Sequence, residues 1–270
     1  MRRITLVLSA VLATTAADAA SYQKTDGTIV NPIQNRIPFG GDHPYVGNNL
    51  EPGANLVGAD LTQAGLVEAD FAGADLTNAI LIDASLNDAD FSDAVLLGAA
   101  FNQSDIMGMN ATGADMRGAD LTLAHAPETS FRGADLTGAI LSTLDGRNAD
   151  LFGAILVNAT MDMASLNGAD LQDTCLTCAN ITLTNFRGAD LYRADFENAY
   201  YYNNFMPYGE FHWESMGVLR MTWPDVPEAC QTAAVPEPAA ILLALVGLAR
   251  LPRRRKSPTP YRKAVTSRQE

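Results

Sequence analysis

Large apolar residues recur at every fifth position through the middle of this chain. The series runs Leu56, Leu61, Leu66, Phe71, Leu76, Leu81, Leu86, Phe91, Leu96 and Phe101, then continues in the same frame through Ile106, Phe131, Leu136, Leu151, Leu166, Leu191 and Phe196 to Tyr201. Of the thirty positions in this frame, only Ala111, Ala126 and Gly146 lack a large apolar side chain. Two residues before each centre stands a small residue, nearly always alanine, as at Ala54, Ala59, Ala64 and Ala69, and between the two lies a frequent Asp or Asn. A period of five matches neither the α-helical period of 3.6 nor the strand period of 2, so no straight helix or flat strand keeps these centres on one side. The backbone must turn once per repeat. A chain that turns every five residues winds into a coil, with the large residue on the axis and alanine where the backbone comes close. Stacked coils then pair their main-chain groups with the coils above and below, as buried backbone requires.

The motif, as in the pentapeptides beginning at Gly73, Gly118, Gly133 and Gly188 (Gly-Ala-Asp-Leu followed by Thr or Tyr), resembles the pentapeptide-repeat family. The resemblance implies an all-β fold, a right-handed quadrilateral β-helix with four repeats per coil. Thirty repeats then make about seven and a half coils and a rod of roughly 36 Å at the ordinary strand spacing. Burying each central Leu or Phe contributes on the order of 1.5–3 kcal/mol. The expected organisation is a secretory signal at 1–20, an N-terminal cap or linker at 21–50, the β-helix at 51–202, an aromatic-rich cap or linker at 203–234 and a sorting tail at 235–270.

Charge divides the chain. Residues 51–201 hold 22 carboxylates against five basic residues, whereas residues 250–270 hold eight basic residues against one carboxylate, within a net charge of −13. If one coil takes twenty residues, the outward position before each centre forms ladders, and one ladder reads Asp70, Asp90, Asn110, Ser130, Asp150, Asp170, Asp190. Stacked carboxylates repel unless they are solvated, bonded to turn amides or neutralised by cations. Two readings stand: a cation-bridged face that takes Ca2+, or Asp side chains that cap local turn amides. A second ladder, Ile80, Ala100 and Ile140 with Val95 and Ile155 beside it, offers an apolar contact patch or scattered exposed apolar residues. Irregular segments at 105–109, 125–128 and 144–147 recur at intervals of twenty on one face, either as a ligand surface or as local loosening.

Catalytic constellations are absent. Histidines 43, 125 and 212 lie in separate segments, so a His-based triad or a zinc site lacks its parts. Cys175-x-x-Cys178 has no second pair, and Cys230 is distant; a local disulfide, an outer-face thiol pair or no role are the readings of this motif. No cofactor other than calcium is implied, and no nucleic-acid partner is expected of so acidic a body.

The ends carry addresses. Arg2 and Arg3, an apolar run over 4–13 and the small residues 17–20 have the order of a secretory signal. Near the other end, Val235-Pro236-Glu237-Pro238 precedes an apolar stretch over 239–249 and then Arg250, Arg253, Arg254, Arg255 and Lys256. This order resembles the PEP-CTERM sorting signal, which implies transient insertion in the inner membrane of a Gram-negative bacterium and cutting by an exosortase-like enzyme. Between rod and tail, Tyr200, Tyr201, Tyr202, Phe205, Tyr208, Phe211, Trp213 and Trp223 form an aromatic cluster, suited to sealing the rod end. The expected function is a non-catalytic secreted or envelope scaffold that meets exopolysaccharide or other surface proteins. The alternatives are a DNA-mimicking binder of a DNA-handling enzyme such as a topoisomerase, implied by the family resemblance, and a carbohydrate binder acting through the C-terminal aromatics.

Overall fold

The structure, a computed structural model, describes residues 21–30, 33–36, 41–45, 47–201 and 219–220. By contact the chain divides into 1–236 and 237–270; the second unit, with the expected sorting motif, lies outside the described residues, as do the expected signal at 1–20 and the aromatics from Tyr202 to Trp213 and at Trp223. Among the described residues no helix is long and apolar enough to cross a membrane.

Residues 51–201 wind into a quadrilateral β-helix. Parallel bridges join each residue preceding a centre to its equivalent twenty positions on, from Asn55 with Asp75 to Asn180 with Tyr200, so four repeats complete one coil. The first face carries the ladder from Asn55 to Asp195, the second from Asp60 to Tyr200, the third from Gly65 to Asn185 and the fourth from Asp70 to Asp190. Backbone pairing repeats without a break in kind. The N–H of a centre reaches the next coil (Leu56 to the Asp75 carbonyl, 2.7 Å), the residue before it reaches back (Asp75 to Ala54, 2.9 Å), and the second residue after it reaches forward (Gly58 to Thr77, 2.9 Å). The alanine N–H closes the corner onto the preceding centre, as Ala59 does onto Leu56 at 3.0 Å.

Each corner has the form of a type II turn, with its third residue left-handed. Every such position from Gly53 to Asn198 has positive φ, and twenty of these thirty residues are Gly, Asn or Asp, the types that accept that conformation most readily. Thr143 (φ 56°) is the β-branched exception. Thr143→Gly is expected to raise stability by about 1 kcal/mol by releasing left-handed strain, measured as a shift in the urea midpoint at constant m; an unchanged or lower midpoint would refute the strain.

The interior is a column of fully buried centres flanked by buried alanines. Phe71 and Phe91 stack at 4.6 Å between centroids, and Phe91 meets Phe101 edge-on at 6.0 Å. Where Ser104, Thr129, Thr174 and Thr184 replace the small alanine, each buried hydroxyl donates to a carbonyl of a core centre: Phe101, Ile106, Leu151 and Met161 respectively. Two of the three missing centres are filled from the alanine position. Leu144 is buried beside Gly146, and Met109 is buried beside Ala111. A Cβ on Gly146 would lie 2.9 Å from Leu166 Cδ2 and 3.2 Å from Leu144 Cδ2, so the leucine occupies the space that a normal centre would take.

The first coil is covered by the segment before it. Strand β1 (Tyr22–Gln23) pairs antiparallel with β2 (Ile29–Val30), and β3 (Gln34–Asn35) pairs antiparallel with β4 (Ala64–Gly65) in the first coil. The Asp70 N–H donates to Gln23 and the Thr25 N–H to Glu68, so this edge of the rod is paired rather than open. Tyr22, Ile33 and Leu50 are buried against the core, and the ion pairs Lys24–Glu68 and Arg36–Asp83 hold the segment at its rim. At the other end β5 (Tyr200–Tyr201) pairs in parallel with β6 (Leu219–Arg220).

Candidate functional site on the third face

Coil stacking and corner closure use four of the five backbone N–H groups in each repeat. The fifth, on the residue just after the centre, is taken by the side chain just before the centre where that residue is Asp or Asn, with two exceptions. Thus Oδ1 of Asp70, Asp90, Asp150, Asp170 and Asp190 accepts from the N–H of Ala72, Ser92, Phe152, Gln172 and Tyr192, at 2.8–3.2 Å. Asparagine does the same work: Asn110, Asn180 and Asn185 accept from Thr112, Thr182 and Arg187. The five carboxylates singled out as calcium candidates are therefore turn caps, and among the described residues no group of three or more His, Cys, Asp or Glu side chains converges as a metal site.

Among the described Asp and Asn side chains at this position, Asp105 and Asp145 depart from the pattern. Both lie on the third face, either side of His125, to which the bridges join them. Oδ1 and Oδ2 of Asp145 accept from Nε and Nη2 of Arg147 at 2.7 and 2.8 Å, and Oδ2 also faces His125 Nδ1 at 3.1 Å. The bonded Arg147 guanidinium holds the Asp145 carboxyl below the ordinary carboxylate range, against the opposing effect of partial burial, and Asp145 in turn raises Arg147. Asp105 accepts from Asn87 Nδ2 at 3.1 Å through Oδ2, while its Oδ1 and Asn87 Oδ1 are buried without a partner. Beside Asp105 a groove of about 320 Å³ runs between the N-terminal segment and the rod, lined by Tyr22, Arg36, Val67 and Ser85 among others. The irregular segments 105–109, 125–128 and 144–147 thus share one face, and two of them, 105–109 and 144–147, hold the carboxylates that do not cap their turns.

His125 is nearly half exposed and touches a carboxylate, but among the described residues no hydroxyl, thiol or amine side chain hydrogen-bonds its ring to serve as a nucleophile. His43 is used in the fold: its Nδ1 accepts from the Tyr45 N–H and its Nε2 donates to the Thr62 carbonyl. On the first face Arg117 grips Asp115 as Arg147 grips Asp145, with Nε and Nη2 on the two carboxylate oxygens at 2.7 and 2.6 Å, and again the carboxyl is lowered chiefly by the arginine. A depressed carboxyl stabilises the fold above its unfolded value near pH 4, and that contribution is lost as pH falls through the lower folded value. The double variant Arg117→Ala, Arg147→Ala is expected to flatten the fall of melting temperature with acidification below about pH 4; thermal scans at graded pH check this, and an unaltered slope would count against it.

The cysteines correct one expectation. Cys178 is buried and disulfide-bonded, whereas Cys175, three residues before it, is a free thiol, so the local Cys175–Cys178 bridge and the outer thiol pair are both excluded. Cys230 lies outside the described residues. Sequence reasoning missed Arg147 and Asn87, although Arg two residues after Asp is a visible signal for a carboxylate gripped by a guanidinium, as at Asp115 and Arg117.

Comparison with known proteins agrees with this architecture. The family model for pentapeptide repeats matches in eight overlapping copies within residues 54–200. Among solved structures, the chain is similar to HetL, a pentapeptide repeat protein involved in heterocyst differentiation regulation from the cyanobacterium Nostoc sp. strain PCC 7120. The identity is 26%, over 60% of this chain and 88% of that one, with a TM-score of 0.29. It is similar also to a pentapeptide repeat protein from the Arabidopsis thaliana thylakoid lumen, at 30% identity over 44% and 75% of the two chains and a TM-score of 0.33. Full-length QnrB1, a plasmid-mediated fluoroquinolone resistance protein, is 18% identical over 73% and 86%, with a TM-score of 0.33. No curated protein sequence matches significantly. With the repeat matched from residue 54 to residue 200 and twenty-residue coils stacked throughout that span, the chain belongs to the pentapeptide-repeat family.

Proposed function

We propose that this protein is a non-catalytic interaction scaffold, exported to the cell envelope, that presents an acidic rod to exopolysaccharide or to other surface proteins. The observation that carries the scaffold reading is the bonding of the acidic ladders. Each carboxylate of the fourth-face ladder is fixed by a turn amide, so the charge pattern is built into the fold and stands ready without rearrangement. The address rests on sequence alone, on the secretory order of residues 1–20 and on the Pro-Glu-Pro, apolar and basic order from Val235 onward. An exosortase-like enzyme would remove the basic end and leave the acidic rod as the mature protein.

A second reading, mimicry of duplex DNA before a DNA-handling enzyme, is favoured by the same regular carboxylate column. The two differ in compartment. Fractionation with intact-mass measurement of the native protein decides between them. The envelope reading expects a chain that starts near residue 20, ends near residue 235 and is found outside the inner membrane; a full-length cytoplasmic species would overturn it.

A further inference from the structure

The corner that closes the second face differs from the other three. Up the stack its left-handed position reads Gln63, Asp83, Gln103, Leu123, Thr143, Met163, Leu183, with no glycine or asparagine. Bulky side chains strain this conformation, and here burial within the chain does not offset the strain, since Leu123 is 56% and Met163 53% exposed. From Leu123 to Leu183 the ridge spans three coil steps, roughly 14 Å. Its surroundings are acidic. Asp162 stands next to Met163 and accepts from the Ser142 hydroxyl, and Asp120 lies on the second-face ladder. No Lys or Arg occurs among the second-face repeats between Asp60 and Tyr201.

We propose that this corner docks a basic, amphipathic segment of a partner protein. The partner's apolar side chains lie along Leu123, Met163 and Leu183, and its Lys or Arg side chains meet Asp120 and Asp162. Charge selects this occupant. A second copy would bring like carboxylates together, and an anionic membrane surface would be repelled by the same rim. The inference goes beyond the envelope reading, because it holds wherever the chain acts, and a binding measurement on purified protein can fail without touching the result of fractionation.

The probe is a fluorescein-labelled amphipathic peptide of leucine and lysine, about 18 residues long and so able to span the ridge as a helix. A peptide with serine in place of leucine serves as the control. Fluorescence anisotropy is expected to show the full-length protein binding the leucine peptide at least about tenfold tighter than the serine peptide, a difference of one decade in Kd. The variant L123N/M163N/L183N is expected to lose that difference while melting no lower than the parent, because asparagine suits the left-handed turn. D120N/D162N is expected to lose most of the salt dependence of binding. Absence of a preference in the parent, or its retention in the triple asparagine variant, overturns the proposal. So does a concentration-dependent dimer of the parent that the triple variant lacks, which would make a second copy the occupant, and so does ridge-dependent binding to phosphatidylcholine vesicles.

Discussion

Phe91→Ala is expected to lower the free energy of unfolding by about 3–5 kcal/mol. Phe91 is fully buried on the axis, stacked on Phe71 one coil earlier and edge-on to Phe101 half a coil further on. Truncation removes the transferred area of the ring and two aromatic contacts of about 0.5–1.5 kcal/mol each. The cavity cannot close by local movement, because every coil is tied to its neighbours through repeated backbone hydrogen bonds of 2.6–3.1 Å. The same truncation at Leu191, in the last described coil and 8% exposed, is expected to cost less, about 2 kcal/mol, since terminal repeats have fewer neighbours to disturb. Equilibrium urea unfolding of the two variants gives the comparison; equal losses would contradict a column whose strength depends on the packing of each layer.

The second large effect comes from the exchanged pair on the third face. Gly146→Leu alone is expected to destabilise by about 3 kcal/mol or more, because the added side chain meets Leu144 and Leu166 where even a Cβ is crowded. Leu144→Ala alone leaves a void beside Gly146 and is expected to cost about 2–5 kcal/mol. Together the two changes restore the ordinary alanine-then-leucine repeat, so the double variant is expected to recover most of the loss, with a coupling of roughly 3 kcal/mol. Additive losses in this cycle would show that Leu144 and Gly146 do not share one space.

The five-residue rhythm made the centres, the buried alanines and the stacked ladders legible, because burial falls on the same two positions of every repeat. The number of repeats per coil was not legible from periodicity. It depends on how sharply each corner bends, and that is set by the left-handed residue two places after the centre. Its signal was present in Gly53, Gly58, Gly73 and Asn78 but diluted by Gln63, Glu68, Leu123 and Arg193, which the stacked backbone forces into the same conformation. The absence of a large centre at Gly146 and Ala111 read as a gap, whereas Leu144 and Met109 two residues earlier fill it. Of the candidate site, the shared face of the three irregular segments followed from the interval of twenty. The partners of Asp105 and Asp145 did not, because Asn87 and Arg147 occupy turn positions where nearly any polar residue is compatible with the fold. The apolar corner at Leu123, Met163 and Leu183 escaped notice for a related reason: these residues fall at the turn position, outside the ladder in which apolar exceptions were sought.

The acidic ladder is built of turn caps. Two variants of the full chain separate that role from any role that needs the charge, one with Asn and one with Ala at Asp70, Asp90, Asp150, Asp170 and Asp190. An asparagine retains the Oδ1 acceptor that Asn110, Asn180 and Asn185 already use, and it removes repulsion between stacked carboxylates. An alanine leaves five turn amides without their side-chain acceptor, each worth about 1 kcal/mol. In parallel urea titrations the asparagine variant is predicted to unfold at or above the parent's midpoint and the alanine variant well below it. An asparagine variant that unfolds as early as the alanine variant would contradict the account.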